Sequence, residues 1–169
     1  VARVLHDHGE HVHPAGARLR SEAAHWEEHA TGHRLHAYMA FRDMDEILLA
    51  NFMVFLDVVR DTPYDLWVGD EAWEVDHHLH ENPECKRAPY VFLTDFVGWL
   101  PMHDGHEARL VADSNEQMLE QIARFPRVRD AAVYLGDRED LVPHAFGPGL
   151  PRIRDWAGAH FHPVGHAGP

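Results

Sequence analysis

Two short apolar runs, separated by a polar segment of helix length, constrain the fold of this chain more than any other feature. The runs are Leu66–Val68 and Tyr90–Leu93, and the polar segment between them is interrupted at Asn82-Pro83. Strand, helix and strand in this order are typical of a parallel βαβ unit. A third apolar run, Ala131–Leu135, follows another helical pattern. The order predicts an α/β fold with a Rossmann-like, doubly wound parallel sheet and helices on both faces.

Polar residues follow the first two apolar runs at the point where each strand should end. Asp70 and Glu71 follow the first run, and the segment Thr94–Phe96, with Asp95 at its centre, follows the second. In open parallel sheets, ligands bind outside the carboxyl ends of the strands. We therefore expect these residues to open into one crevice that serves as a binding site.

Asp70 and Asp95 each have two interpretations. A carboxylate at a helix start is kept ionised by backbone N–H groups and the helix dipole, and it can orient a histidine base. Aspartate also caps helices wherever they begin, which is the structural interpretation of Asp70. Asp95 can hydrogen-bond the hydroxyl groups of a ligand, or it can belong to an ordinary turn at the end of a strand. Residue chemistry leaves both alternatives open.

Aromatic residues are concentrated near the same strand ends. Trp73, Phe96 and Trp99, together with Met102, are expected to form an apolar wall for a ligand, because aromatic side chains on loops above a sheet commonly line pockets. Packing into the hydrophobic core is the alternative, especially for Trp73.

Serine residues and one long apolar pattern predict the other helices. The longest helical pattern covers His33–Arg60 and has a break near Arg42-Asp43. Ser21 is expected to cap a short helix, and Ser114 is expected to cap a helix that runs to Phe125.

The histidines raise the question of a metal site. His77, His78 and His80 lie near Glu74 and Glu81, and the four-residue spacing of His77 and Glu81 puts them on one helix face. Successive residues on a helix point about 100° apart, so His77 and His78 are not expected to share an ion. The spacing matches no zinc motif such as HExxH. We therefore predict solvated surface histidines and no metal ligands.

Charge and cysteine content exclude several function classes. The net charge of −13 argues against binding of nucleic acid or of an anionic membrane surface. No apolar run approaches the length of a membrane span. The single cysteine, Cys85, cannot form an internal disulfide, which predicts a cytoplasmic protein.

Five segments in a fixed order carry a resemblance to a known family. They are PYDLWVGDE at 63–71, APYVFLTDFVG at 88–98, AVYLGD at 132–137, FGPGLP at 146–151 and FHPVGH at 161–166. Together they resemble the N-terminal, acceptor-binding domain of GT-B glycosyltransferases. The most similar group is that of bacterial UDP-glycosyltransferase-like proteins of the macrolide and flavonoid glucosyltransferase type. The resemblance covers residues 1–165.

The resemblance implies a reaction and roles for particular residues. In this family a C-terminal domain binds the nucleotide sugar, and a histidine after the first strand of the N-terminal domain deprotonates the acceptor hydroxyl. In many members a carboxylate after a later strand orients that histidine, and Asp70 matches its position. The implied reaction is inverting transfer of a hexosyl group from a UDP-sugar to an acceptor hydroxyl. Residues expected to contact the acceptor are Glu71, Trp73, Thr94, Asp95, Phe96 and Trp99.

The sequence departs from the family in two respects. The first strand with its histidine loop and the nucleotide-sugar domain are both missing, so we expect residues 1–169 to be a partial acceptor domain. Such a fragment would be inactive alone and would bind no cofactor, because the donor would bind the missing domain. One alternative is a small, histidine-rich α/β domain that binds a metal or another ligand without catalysis. Another is a different GT-B-like activity, such as sugar-nucleotide epimerisation or transfer to a cell-envelope lipid.

Overall fold

The computed structural model describes residues 2–31, 34–35 and 37–166. Short 3-10 turns lie at Pro14–Arg18, Pro83–Cys85 and Arg138–Asp140. In chain order, the helices and strands are α1 (Ala2–Asp7), α2 (Glu22–His29), β1 (Ala30–Thr31), β2 (Arg34–Leu35), α3 (Ala37–Arg42), α4 (Asp45–Asp61), β3 (Trp67–Asp70), α5 (Trp73–Glu81), β4 (Tyr90–Thr94), α6 (His106–Arg124), β5 (Ala131–Tyr134), α7 (Ile153–His160) and β6 (His162–Pro163).

Four parallel strands form the main sheet in the order β3-β4-β5-β6. Gly69 lies opposite Phe92, Phe92 opposite Ala132, and Val133 opposite His162. A separate antiparallel pair is formed by β1 and β2. The predicted α/β class, with a Rossmann-like parallel sheet flanked by helices, is confirmed. Each of these strands lies beside the one that follows it in the chain, always on the same side. One half of a doubly wound sheet has this arrangement.

The hydrophobic core lies between the helices and one face of the sheet. Residues of β3, β4 and β5 alternate between buried and more exposed positions, as expected for strands covered on one face. The buried set packs with side chains of α4, α5 and α7 in one cluster, and Met118 and Leu119 of α6 pack against it. The sheet residues of this cluster are Trp67, Tyr90, Phe92, Ala132 and Tyr134.

The opposite face of the sheet is apolar and partly open to solvent. Val68, in the middle of β3, is 57% exposed. Leu66, Leu135 and Val164, at the ends of strands, are also exposed and lie on the same face by strand alternation. Parallel sheets in known proteins are covered on both faces. This face is therefore a large apolar surface of the described chain.

Two of the three helix-boundary predictions are confirmed. The hydroxyl of Ser21 accepts a hydrogen bond from the N–H of Ala24 at the start of α2. The long helical pattern is divided into α3 and α4 at the predicted break. Its beginning is wrong, because Arg34–Leu35 pair with β1 as strand β2 and the first helix begins at Ala37; His33 lies outside the described residues.

The prediction that Ser114 begins a helix is wrong. Ser114 lies in the middle of α6, because the apolar face of that helix continues upstream through Val111. The hydroxyl of Ser114 is hydrogen-bonded to that of Tyr38, 2.6 Å away, rather than to a helix terminus.

Among the described residues, none of the helices combines the length and apolar character needed to cross a membrane.

Candidate functional site

The carboxyl ends of β3 and β4 form the edge that the sequence predicted as a site. Asp70 is the last residue of β3, lies opposite Leu93, and is exposed. Helix α5 begins three residues later, at Trp73, and its N-cap is Ala72. The helix-capping interpretation of Asp70 is therefore wrong, because Glu71 and Ala72 separate the carboxylate from the first turn.

Glu71 connects the ends of the two strands. Its Oε1 accepts a hydrogen bond of 2.8 Å from the N–H of Asp95, and its Oε2 accepts one of 2.9 Å from Trp73 Nε1. The backbone of Glu71 has φ +52°, a left-handed conformation that costs about 1–2 kcal/mol for a residue with a side chain. Glu71 thus holds Asp95 and Trp73 in place, and both of its carboxylate oxygens contact protein groups.

Thr94 and Asp95 have different environments although they are adjacent. Thr94 is fully buried, and its hydroxyl donates to the carbonyl of Phe96 at 2.7 Å and accepts from the N–H of Phe96 at 3.2 Å. The side chain of Thr94 therefore closes a turn beneath the surface. Asp95 is exposed at the edge, as predicted.

The three predicted aromatic residues lie together. The ring of Phe96 is 4.9 Å from that of Trp73 and 5.5 Å from that of Trp99. Trp73 also packs edge-on against Phe92 of the core, at 5.1 Å. All three predicted residues are half-buried. They form an aromatic cluster that is anchored in the core on one side and reaches the surface beside Asp95.

Gly98 allows the loop after β4 to pack closely over the core. It has φ +72°, and a Cβ at this position would clash with the ring of Phe146, 2.7 Å from its Cδ1 atom. A side chain here would therefore move the loop that carries Trp99.

Asn115, which was not predicted from the sequence, holds the same loop. Its side chain is fully buried, its Oδ1 accepts from the N–H of Trp99 at 2.9 Å, and its Nδ2 donates to the carbonyl of Trp99 at 2.9 Å and to that of Phe146 at 2.7 Å. One signal was available: Asn115 occupies the apolar face of α6, four residues after Val111 and seven before Ile122. A polar residue at such a position needs partners.

Replacing Asn115 by leucine is expected to lower the free energy of unfolding by about 3 kcal/mol, because the backbone groups of two loops lose their partner. The effect would be measured by urea denaturation, with circular dichroism as the probe. Glu116→Ala, an exposed change on the same helix, serves as control and should alter stability by less than about 0.5 kcal/mol. Equal stability of the Asn115→Leu variant and the wild type would contradict this role.

A cavity of about 510 Å³ lies on the helical side of the sheet, between α4, α5 and α6. Trp73 and Trp99 line it, whereas Asp70, Glu71 and Asp95 do not. The aromatic cluster therefore separates two regions, the open edge of the sheet and the cavity. The charged and imidazole side chains that line the cavity are those of Arg42, Asp45, Asp76, His77, His78, His80, Glu81 and Arg129.

A buried ion pair contributes to the wall of the cavity. The guanidinium of Arg129 donates to both carboxylate oxygens of Asp76, with Nε 2.7 Å from Oδ1. It also lies over the rings of Phe92 and Phe161, at 4.5 and 5.5 Å. Both charged side chains are more than nine-tenths buried. His80 Nδ1 is 2.8 Å from the backbone carbonyl of Asp76, so the pair and this histidine form one polar network.

The histidines of α5 are closer together than the sequence predicted. The rings of His77 and His78 have centroids 5.1 Å apart, so the expectation that they diverge is wrong. His77 Nε2 is 3.5 Å from Glu81 Oε1, and His78 Nδ1 is 3.1 Å from Glu81 Oε2. The rings converge because their side chains bend back toward Glu81 despite the angle between their Cα–Cβ bonds.

Burial changes the pKa values of several groups near the cavity. Desolvation lowers the pKa of both His77 and His80, which favours neutral imidazoles. Desolvation, with the charge of Glu22 as a smaller contribution, raises the pKa of Glu74.

No protein-family model matches this chain, and no curated protein or solved structure is significantly similar to it.

Proposed function

We propose that this chain forms the acceptor-binding side of a glycosyltransferase that transfers a hexosyl group from a UDP-sugar. One observation carries the proposal: exposed carboxylates, Asp70 and Asp95, lie at the ends of adjacent parallel strands beside a surface aromatic cluster. This is where open parallel sheets bind ligands. The order of the five segments that resemble GT-B enzymes supports the same assignment.

In the proposed mechanism, Asp70 acts on a histidine base rather than on the acceptor. Its carboxylate accepts the N–H of that histidine, fixes the tautomer, and stabilises the imidazolium that forms when the acceptor hydroxyl loses its proton. The hydroxyl oxygen then attacks the anomeric carbon in line, the bond from that carbon to UDP breaks, and the configuration inverts. The proposal requires the histidine and the nucleotide-sugar site to come from outside residues 1–169.

Asp95 and the aromatic cluster have the chemistry to hold the acceptor. Phe96 and Trp99 present ring surface to an apolar scaffold, and Asp95 can accept a hydrogen bond from one of its hydroxyl groups. Glu71 positions both elements through its bonds to Asp95 and Trp73. The proposed acceptor is therefore a hydroxylated aromatic or macrolide molecule. The proposed setting is the cytoplasm, without nucleic-acid or membrane partners, which agrees with the acidic charge.

The uncovered face of the sheet is compatible with this proposal. Val68 and its neighbours would be buried if further elements of a two-domain enzyme packed there, as both faces of a parallel sheet normally are.

Acceptor binding by the chain itself tests the proposal. A panel of hydroxylated flavonoids and macrolides would be titrated into the protein and followed by calorimetry. Phe96→Ala is expected to weaken binding about tenfold or more through lost stacking, and Asp95→Asn up to about tenfold through a lost charged hydrogen bond. Asp61→Asn, an exposed change at the end of α4, is the matched control and should leave affinity unchanged.

Two results would contradict the acceptor site. One is the absence of binding by every member of the panel at millimolar concentration. The other is binding that neither Phe96→Ala nor Asp95→Asn weakens. The chain alone is expected to transfer no sugar from UDP-glucose, and transfer by residues 1–169 would refute its assignment as the acceptor side only.

A second candidate function is ligand binding in the cavity without catalysis. The observation that favours it is the polar lining of the cavity between α5 and α6, to which Asp70 does not contribute. Retained ligand binding by a Phe96→Ala/Asp95→Asn double variant, but not by Gln121→Leu in the cavity wall, would support this function instead.

A further inference from the structure

We propose that His77, His78 and Glu81 of α5 bind a divalent transition-metal ion of the zinc class at the wall of the cavity. One ligand atom from each residue lies within 4.8 Å of the other two. In a tetrahedral zinc site, bond lengths of about 2.0–2.2 Å place ligand atoms roughly 3.3 Å apart. The contacts of Glu81 with His77 and His78, at 3.5 and 3.1 Å, already have that spacing.

The donor set defines the class of metal. Two imidazole nitrogens and one carboxylate suit Zn²⁺, Co²⁺, Ni²⁺ or Cu²⁺, whereas Mg²⁺ and Ca²⁺ prefer ligands that are all oxygen. Three protein ligands leave the fourth tetrahedral position open. Because all three residues line the cavity, that position can face its interior and take water or a small anionic ligand.

Packing holds the ring of His78 in place at the wall of the cavity. Its side chain is only 13% exposed and its ring packs against Phe52, with centroids 4.9 Å apart. Its Nε2 is buried and has no hydrogen-bond partner in the part of the chain that the structure describes. Its Nδ1 is hydrogen-bonded to Glu81 Oε2, 3.1 Å away, so an ion bound between these two atoms would take the place of the shared proton.

One further carboxylate near the three ligands favours a cation at this position. Asp45 of α4 lines the same cavity and interacts electrostatically with His77. Arg129 also lines the cavity, but its charge is compensated by Asp76. The remaining cation of the lining is Arg42. This inference does not rest on glycosyl transfer, since the sheet edge with Asp70 contributes nothing to the three ligands.

The test is the affinity of the protein for the first equivalent of metal. For Zn²⁺ it is measured by competition with a chromophoric chelator, and for Co²⁺ by the visible absorption of the bound ion. Asp137, Asp140 and His166 form a second group of possible ligands, so matched variants are essential. His77→Ala/Glu81→Ala is expected to weaken the first equivalent about 100-fold, and Glu81→Gln about tenfold or more, because ligands are lost. The control, His6→Ala/His8→Ala, removes two exposed histidines of the N-terminal segment and should leave the affinity for the first equivalent unchanged.

Thermal unfolding supplies a second readout on the same proteins. One equivalent of Zn²⁺ should raise the Tm of the wild type and of the His6→Ala/His8→Ala control, but not that of Glu81→Gln, because a ligand that binds only the folded state stabilises it. Equal first-site affinity in wild type and His77→Ala/Glu81→Ala would overturn the proposal. So would loss of the first site in the His6→Ala/His8→Ala control, or a wild-type Tm that does not respond to Zn²⁺.

Discussion

Under the proposed function, replacing Asp70 by asparagine is expected to lower kcat for sugar transfer by about 10²–10⁴-fold in an enzyme that joins this chain to the proposed histidine and nucleotide-sugar site. Asparagine is nearly isosteric but has no negative charge to stabilise the imidazolium, and its amide can hold the histidine in the wrong tautomer. Because Asp70 is exposed and is not a helix cap, the free energy of unfolding should change by less than about 0.5 kcal/mol. The measurements are initial rates with UDP-glucose and urea denaturation.

The contrast with Asp95 separates a positioning role from a binding role. Asp70→Asn should leave the KM for the acceptor unchanged, whereas Asp95→Asn should raise that KM with a smaller effect on kcat. Asp70→Glu, which restores the charge at a longer reach, should recover part of the rate. An unchanged kcat in Asp70→Asn would exclude the catalytic assignment, and a rise in KM alone would reassign Asp70 to acceptor binding.

Replacing Asp76 by asparagine is expected to lower the free energy of unfolding by about 3–5 kcal/mol. The change leaves the guanidinium of Arg129 buried against Phe92 and Phe161 without a countercharge. Arginine keeps its proton under all ordinary conditions, so it cannot relieve the cost by neutralising itself. Urea denaturation of the variant, with circular dichroism as the probe, measures the effect.

Two control variants distinguish a buried ion pair from an ordinary surface one. Asp7→Asn removes the partner of Arg3 in an exposed pair at 3.8 Å and should cost less than about 0.5 kcal/mol. Asp76→Leu combined with Arg129→Met removes both buried charges and should be more stable than Asp76→Asn alone. If Asp76→Asn is no less stable than Asp7→Asn, water reaches Arg129 and the pair is not buried in solution.

Three strands of the main sheet and most helices could be predicted because their signals are local, whereas β1, β2 and β6 were not predicted. Apolar runs such as Tyr90–Leu93 are short and bounded by turn residues, and the pattern through α3 and α4 repeats at helical spacing. The start of α6 could not be predicted from Ser114, because serine is compatible with a helix interior when its hydroxyl finds a partner. That partner, Tyr38, is distant in sequence.

The sheet edge was predictable in position but not in detail. Parallel strands bring their carboxyl ends together, so Asp70 and Asp95 were expected at one edge and lie there. Which neighbouring side chains face solvent depends on contacts across strands. Glu71 is hydrogen-bonded to Asp95 and Trp73, and Thr94 is buried in its own turn. Neither arrangement can be recognised from residue type or spacing.

The sequence by itself determined the α/β class, the parallel strands and the edge where Asp70 and Asp95 lie, because these follow from periodicity and strand direction. Only the tertiary structure decided that His77 and His78 converge on Glu81, that Asn115 ties two loops to α6, and that Asp76 and Arg129 are buried together. These arrangements depend on side-chain rotamers and on contacts between residues far apart in the chain. Such contacts form only when the helices pack on the sheet, so no local pattern in the sequence encodes them.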